Sequence, residues 1–154
     1  MVHSFLQQAI DMAVENVRRG GGPFGALVVK DGVVIAMGAN QVTRTNDPTA
    51  HAEMVAIREA CRVLGNFQLS GCDVYSSCEP CPMCLGALYW ARPVRIFFAA
   101  THDQATAAGF DDSFIYHEIQ VPLTGRSIPT IHVTDAHATR PFEEWARRSD
   151  KTTY

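Results

Sequence analysis

The sequence predicts an α/β fold, a three-layer α/β/α sandwich around a mixed five-stranded sheet. A hairpin signal comes first: β-rich runs at 24–30 and 33–38 flank Asp31-Gly32, a pair typical of two-residue hairpin turns. Helix-like and strand-like segments then alternate along the chain. Because strand–helix–strand alternation favours parallel strand pairs with helices on both faces, the three layers follow.

Local signals place the other elements in order. Apolar residues recur with a helical period through residues 4–19, and glycines from Gly20 onward end that helix. Thr49 is a candidate N-cap for the next helix, which Gly65 ends. The continuous apolar run 94–100 predicts a buried strand. The predicted helices are 4–19, 50–64, 81–91, 111–119 and 141–148, and the strands beyond the hairpin are 72–77, 94–100 and 128–133.

Length and composition narrow the class of protein. The 154 residues suit one domain spanning 1–154, and the formal net charge of −3 does not favour tight binding to long nucleic acid. No stretch reaches the roughly 18 apolar residues of a membrane span. The N-terminus lacks the pattern of a signal peptide, and five cysteines do not form an even disulfide set. We therefore expect a cytoplasmic protein that does not bind membranes.

Three residues have the types and spacing of a zinc site. Cys81 and Cys84 are three residues apart at the start of a predicted helix, and His51 lies at the start of another. Zinc prefers four tetrahedral ligands, and thiolate and imidazole are its usual ones. Three protein ligands leave one position for water, which is typical of a catalytic zinc ion. We predict one Zn²⁺ per chain.

Glu53 follows His51 by two residues and is the predicted proton carrier. A carboxylate there can take a proton from an attacking water and return it to the departing amine. The pattern His-x-Glu followed by Pro-Cys-x-x-Cys is typical of zinc deaminases of nucleobases, and the chain contains it as His51-Ala52-Glu53 and Pro80–Cys84.

Other interpretations of these cysteines have less support from the sequence. Cys78, Cys81 and Cys84 have the spacing of iron–sulfur ligands, but the fourth cysteine is missing and His51 would have no role. Cys78 as a fourth zinc ligand would make the site structural, although it lies on the strand side of Pro80. The other histidines, His102 among them, have no partner spacing and are interpreted as surface or packing residues.

Further motifs extend along nearly the whole chain. The general ones are Pro23-Phe24-Gly25-Ala26, His51-Ala52-Glu53 and Cys78-Glu79-Pro80-Cys81-Pro82-Met83-Cys84; the narrower ones are Asn46-Asp47-Pro48-Thr49-Ala50, Tyr89-Trp90-Ala91-Arg92-Pro93, Gly109-Phe110-Asp111-Asp112-Ser113-Phe114-Ile115-Tyr116 and the C-terminal Tyr154. The general motifs resemble the cytidine deaminase-like superfamily. The narrower ones resemble its bacterial guanine deaminases.

The resemblance implies hydrolysis of guanine to xanthine and ammonia, with a small purine base as the ligand. It assigns recognition of the polar edge of the purine ring to Asn40, Asp112 and backbone groups near Ala52. The resemblance implies that the walls of the purine pocket are Phe24, the His51 imidazole and Trp90. It also implies that Tyr154 helps to close the pocket and that Glu143 is a second proton carrier. From residue type alone, Asn40 could equally cap a loop, Asp112 a helix, and Phe24 or Trp90 could be core residues.

The resemblance also implies a homodimer in which the C-terminal segment, about 135–154, is exchanged between subunits, with 132–140 as the hinge. Two other functions stay open at this point. One is deamination of transfer-RNA adenosine, cytosine or an aminotriazine, and the other is a non-catalytic zinc-stabilised binding module. Glu53 argues against the binding module, because a purely structural zinc site does not need that carboxylate.

Overall fold

The computed structural model describes residues 1–154, which form two compact units, Met1–Asp112 and Ser113–Tyr154. The first unit contains α1 (Val2–Arg18), β1 (Gly25–Lys30), β2 (Val33–Ala39), α2 (Val42–Thr45), α3 (Ala52–Leu64), β3 (Cys72–Cys78), α4 (Pro82–Ala91), β4 (Arg95–Ala100) and α5 (His102–Ala107). The second contains α6 (Ser113–Gln120), a 3₁₀ turn (Leu123–Gly125) and α7 (Arg140–Arg147). No helix combines the length and apolar character needed to cross a membrane.

The sheet has four strands in the order β2-β1-β3-β4. β1 pairs antiparallel with β2 and β3, whereas β3 and β4 are parallel. The hairpin prediction is confirmed: Asp31 and Gly32 both have positive φ, 51° and 77°, as a type I′ turn requires. The mixed sheet is therefore confirmed, but its predicted strand number is wrong.

Helices cover both faces of this sheet, which confirms the three layers. Alternate side chains of β1 separate the two cores. Leu27 and Val29 pack with Ala9 of α1 on one face. Ala26 and Val28 pack on the other face with residues of α3 and α4, namely Ala52, Ala56, Ala60, Leu88 and Ala91.

The predicted fifth strand, 128–133, is irregular in the structure. Ile128, Ile131 and Val133 are all exposed, and no strand pairs with them. A strand needs a neighbour for its backbone hydrogen bonds, and Pro129 has no N–H to contribute. An apolar pattern alone was too weak a signal for this element.

The burial predicted for 94–100 is also wrong. β4 is an edge strand with a neighbour on one side only, and Phe98 is 43% exposed. Two short helices inside expected loops were not predicted, α2 and α5. The helix predicted from residue 50 begins at Ala52, where His51 and not Thr49 is the N-cap.

Candidate active site

His51 and Cys81 occupy equivalent positions at the starts of two helices. Each is an N-cap residue in extended conformation, His51 with ψ 159° before α3 and Cys81 with ψ 168° before α4. α3 can approach the sheet closely because β2 has Gly38 there: a Cβ at Gly38 would lie 2.2 Å from the carbonyl oxygen of Ala52. This close packing places His51 and Glu53 over the end of the sheet.

The three predicted metal ligands meet at one point. His51 Nδ1 lies 3.5 Å from Cys81 Sγ and 3.5 Å from Cys84 Sγ. Tetrahedral zinc, with bonds of about 2.0–2.1 Å to nitrogen and about 2.3 Å to sulfur, holds such atoms about 3.5 Å apart. The donor set therefore fits zinc in both chemistry and spacing.

The electrostatic environment of the Cys81 and Cys84 thiols favours binding of a cation. The hydrogen bond with Cys84 lowers the pKa of Cys81, and His51 contributes to that shift. The hydrogen bond with Cys81 and burial raise the pKa of Cys84. Cys81 is therefore the more readily ionised of the two thiols, and a divalent cation that binds both sulfurs would displace the thiol protons. The pKa of His51 is raised by its hydrogen bond to Cys81 and further by the charges of Glu53 and Asp112.

Cys78 is not part of this group. Only His51, Cys81 and Cys84 have donor atoms that all lie within 4.8 Å of one another at this point. Cys78 Sγ instead points to the carbonyl oxygen of Thr101 at 4.0 Å, and burial raises its pKa to about 11. Three ligands rather than four match a catalytic zinc site. Without Cys78, the structural-zinc alternative has no fourth ligand and the iron–sulfur alternative keeps only two cysteines.

Glu53 is buried beside the ligands, with 5% of its surface exposed. Ser76 of β3 donates a hydrogen bond to Oε1 at 2.8 Å, and Cys84 Sγ lies 3.4 Å from Oε2. Burial raises the pKa of this carboxyl group above its usual range. A carboxyl group with a raised pKa suits alternate uptake and release of a proton near neutral pH.

Asn40 follows β2 and is held in place by a buried asparagine. Asn16 of α1 donates from Nδ2 to the carbonyl oxygens of Gly22 at 2.7 Å and Asn40 at 2.9 Å. The Asn40 N–H donates to Phe24 O at 3.1 Å, and its side-chain oxygen accepts from Val42 N–H at 3.2 Å. The Asn40 amide nitrogen is therefore directed away from its own backbone.

Other predicted substrate residues also lie in the first unit. The Phe24 ring meets Phe110 edge-to-face with centroids 5.0 Å apart. This contact joins a predicted wall to the loop that carries Asp112. Ala52 is fully buried as the first residue of α3, while Trp90 lies on α4 with 64% of its surface exposed.

Glu143 and Tyr154 lie in the second unit. Glu143 is exposed on α7, where its Oε1 accepts a hydrogen bond from the Thr139 hydroxyl at 2.7 Å. Tyr154 is the last residue and is 69% exposed. Their roles at the site stay predictions.

The structure adds three residues that the sequence did not indicate: Ser76, Asn16 and His102, whose Nδ1 lies 2.6 Å from Oδ1 of Asp112. Asn16 had a usable signal, because it continues the buried face of α1 that Ala9 and Ala13 begin, and a polar residue on such a face needs a partner. Ser76 and His102 had none, since their partners are distant in sequence.

Known proteins similar to this chain agree with the site. Residues 2–100 match the family described as the cytidine and deoxycytidylate deaminase zinc-binding region. The chain is 57% identical over 152 residues to guanine deaminase from Bacillus subtilis, covering 98% of this chain and 97% of that protein. It is 45% identical over 96 residues to transfer-RNA-specific adenosine deaminase from Aquifex aeolicus, covering 62% of this chain and 64% of that protein.

The fold is similar over its full length to a solved relative. The X-ray structure of guanine deaminase from Bacillus subtilis superposes with a TM-score of 0.97 at 56% identity, covering 99% of this chain and 98% of that one. The α/β architecture is thus confirmed.

Proposed function

We propose that this chain, which belongs to the cytidine and deoxycytidylate deaminase family, is a zinc-dependent guanine deaminase. The reaction is hydrolysis of a cyclic amidine C–N bond, which converts guanine and water to xanthine and ammonia. One observation carries the choice of substrate. The family match ends at residue 100, whereas similarity to the Bacillus subtilis guanine deaminase covers 98% of the chain.

His51, Cys81 and Cys84 would hold the zinc ion, which when bound supplies the positive charge that activates a water molecule. Glu53 accepts a proton from the attacking water and passes it to the ring nitrogen next to the reacting carbon. It then takes the remaining proton from the hydroxyl group added to that carbon and delivers it to the departing amine, so that the C–N bond breaks, ammonia leaves and the carbonyl of xanthine remains. Ser76 holds Oε1 throughout, so that Oε2 is the oxygen that moves the proton.

The substrate contacts are proposals that the local geometry supports. Asn40 is positioned to donate from its amide nitrogen to an acceptor on the purine edge, because its oxygen already accepts from Val42. Asp112 is proposed to accept from a ring N–H. Phe24 and Trp90 form walls for the flat base, and backbone groups at Ala52 add polar contacts.

We also propose a homodimer that exchanges the segment 135–154, with Tyr154 closing the pocket and Glu143 as a second proton carrier. In the second unit, Ile128, Ile131 and Phe142 are each at least 74% exposed. Exposed apolar side chains in such number support burial against a partner chain. Light scattering should give twice the 16.9 kDa chain mass, and a chain lacking 135–154 should lose the dimer. The proposed cytoplasmic location is supported by five free thiols.

A substrate panel tests the function. Ammonia release is measured with guanine, adenine, cytosine, cytidine, guanosine, an aminotriazine and a transfer-RNA anticodon stem-loop. Guanine should be turned over with the highest kcat/KM. Preferred turnover of the stem-loop would favour the transfer-RNA activity instead, and no release from any compound would contradict the enzyme proposal.

A further inference from the structure

The strongest contact near the proposed pocket without an assigned role joins His102 to Asp112. Nδ1 of His102 lies 2.6 Å from Oδ1 of Asp112, and the two side chains are 28% and 21% exposed. At this distance a protonated imidazole and the carboxylate form an ion pair. The contact fixes one oxygen of the residue proposed to read the purine edge.

One direct hydrogen bond and two contacts of neighbouring residues hold His102 in place. It is the first residue of α5, whose N-cap Thr101 and third residue Gln104 form a capping box. The His102 N–H also donates to Oε2 of Glu79 at 3.0 Å. Glu79 precedes the metal ligand Cys81 by two residues, and its own N–H bonds the carbonyl of Ala100 at 2.8 Å. The position of the His102 imidazole therefore depends on the loop that carries the metal ligands.

The loop with Asp112 is held from a second direction. Phe110 packs edge-to-face on Phe24 at 5.0 Å, and Asp112 follows two residues later. The negative charge of Asp112 acts on His51, so the carboxylate lies within electrostatic range of the metal ligands. With Oδ1 engaged by His102, the direction of Oδ2 is restricted.

We propose that His102 is a positioning residue for substrate specificity: it engages Oδ1 of Asp112 so that Oδ2 is presented to a ring N–H of the base. This rests on the proposed function, in which Asp112 reads the purine edge. An oriented carboxylate accepts hydrogen bonds and donates none, so it favours a ring with an N–H at that place, as guanine has at N1. A base with a lone pair there, as adenine has at N1, would place that lone pair against the carboxylate oxygen and form no hydrogen bond.

The test compares His102→Leu, which fills the space without a donor, with His102→Asn, whose amide nitrogen can replace Nδ1. His3→Leu, at an exposed histidine near the start of α1, is the matched control. Zinc content and thermal unfolding are measured for each, followed by kcat and KM for guanine. His102→Leu should raise KM about 10- to 100-fold, the size of one close polar contact with a charged group, with a smaller change in kcat. His102→Asn should recover most of the loss.

A double-mutant cycle with Asp112→Asn separates positioning from general stability. If His102 acts through Asp112, adding His102→Leu to Asp112→Asn should change KM less than about 2-fold. A full, additive effect in that background would overturn the proposal, as would a wild-type KM in His102→Leu. Loss of zinc in His102→Leu would assign the residue to the metal centre and overturn it too.

The two proposals fail in different ways. If the wild type releases no ammonia from guanine, the proposed function fails and the role of His102 fails with it. If the wild type is active on guanine and His102→Leu matches it, the proposed function stands and only the role of His102 is overturned.

Discussion

Replacing Asn16 with alanine should weaken both the fold and the site, because one buried amide holds two loops. Its nitrogen donates to the carbonyls of Gly22 and Asn40, and only 6% of the residue is exposed. Each lost hydrogen bond removes about 0.5–1.5 kcal/mol, and carbonyls left buried add to the cost, so we expect about 2–4 kcal/mol in total. For a chain of this length that lowers Tm by about 4–16 °C.

The same change should also reduce turnover. Asn40 and the turn before Phe24 lose their common support, so kcat/KM for guanine should fall about 10- to 100-fold. Thermal unfolding and steady-state ammonia release measure the two effects. Asn16→Asp should be at least as harmful as Asn16→Ala, because a carboxylate cannot donate to two carbonyls. Gln7→Ala, at an exposed position on the same helix, is the control. Wild-type stability in Asn16→Asp would refute the reasoning.

Three other changes test separate parts of the site. Cys81→Ser should remove most of the bound zinc while Cys61→Ser keeps it, as metal analysis will show; equal zinc in both would exclude Cys81 as a ligand. Glu53→Gln should raise the Tm of the metal-free protein at pH 7, because burial raises the pKa of Glu53 and its ionisation then opposes folding. That difference should vanish as the pH falls below about 4.3, the pKa of an unfolded glutamate, and a gap that persists in acid would contradict it. Deleting Tyr154 should raise KM for guanine without changing Tm; an unchanged KM would refute its role in closing the pocket.

The parts predicted well from the sequence depend on neighbours along the chain. The hairpin followed from Asp31-Gly32, because a type I′ turn needs two residues that tolerate positive φ. The candidate metal ligands His51, Cys81 and Cys84 were predicted from short spacings at the starts of two helices. Such features depend on a few adjacent residues and can be recognised without knowledge of the fold.

The parts predicted poorly depend on contacts made elsewhere. Apolar residues predict a strand at both 94–100 and 128–133, yet only the first segment forms one, because only it has a neighbour to pair with. Ser76 and His102 gain their roles from Glu53 and Asp112, whose positions the fold determines. No local pattern distinguishes a serine or histidine with such a partner from one without it.

The central claim is that Glu53 moves the proton at a zinc site formed by His51, Cys81 and Cys84. Zinc content and guanine turnover of Glu53→Gln, measured on the same preparation, test it most directly. We predict about one zinc ion per chain and a fall in kcat of at least about 100-fold, the usual contribution of a general acid–base group. Turnover near the wild-type rate with zinc retained would contradict the claim.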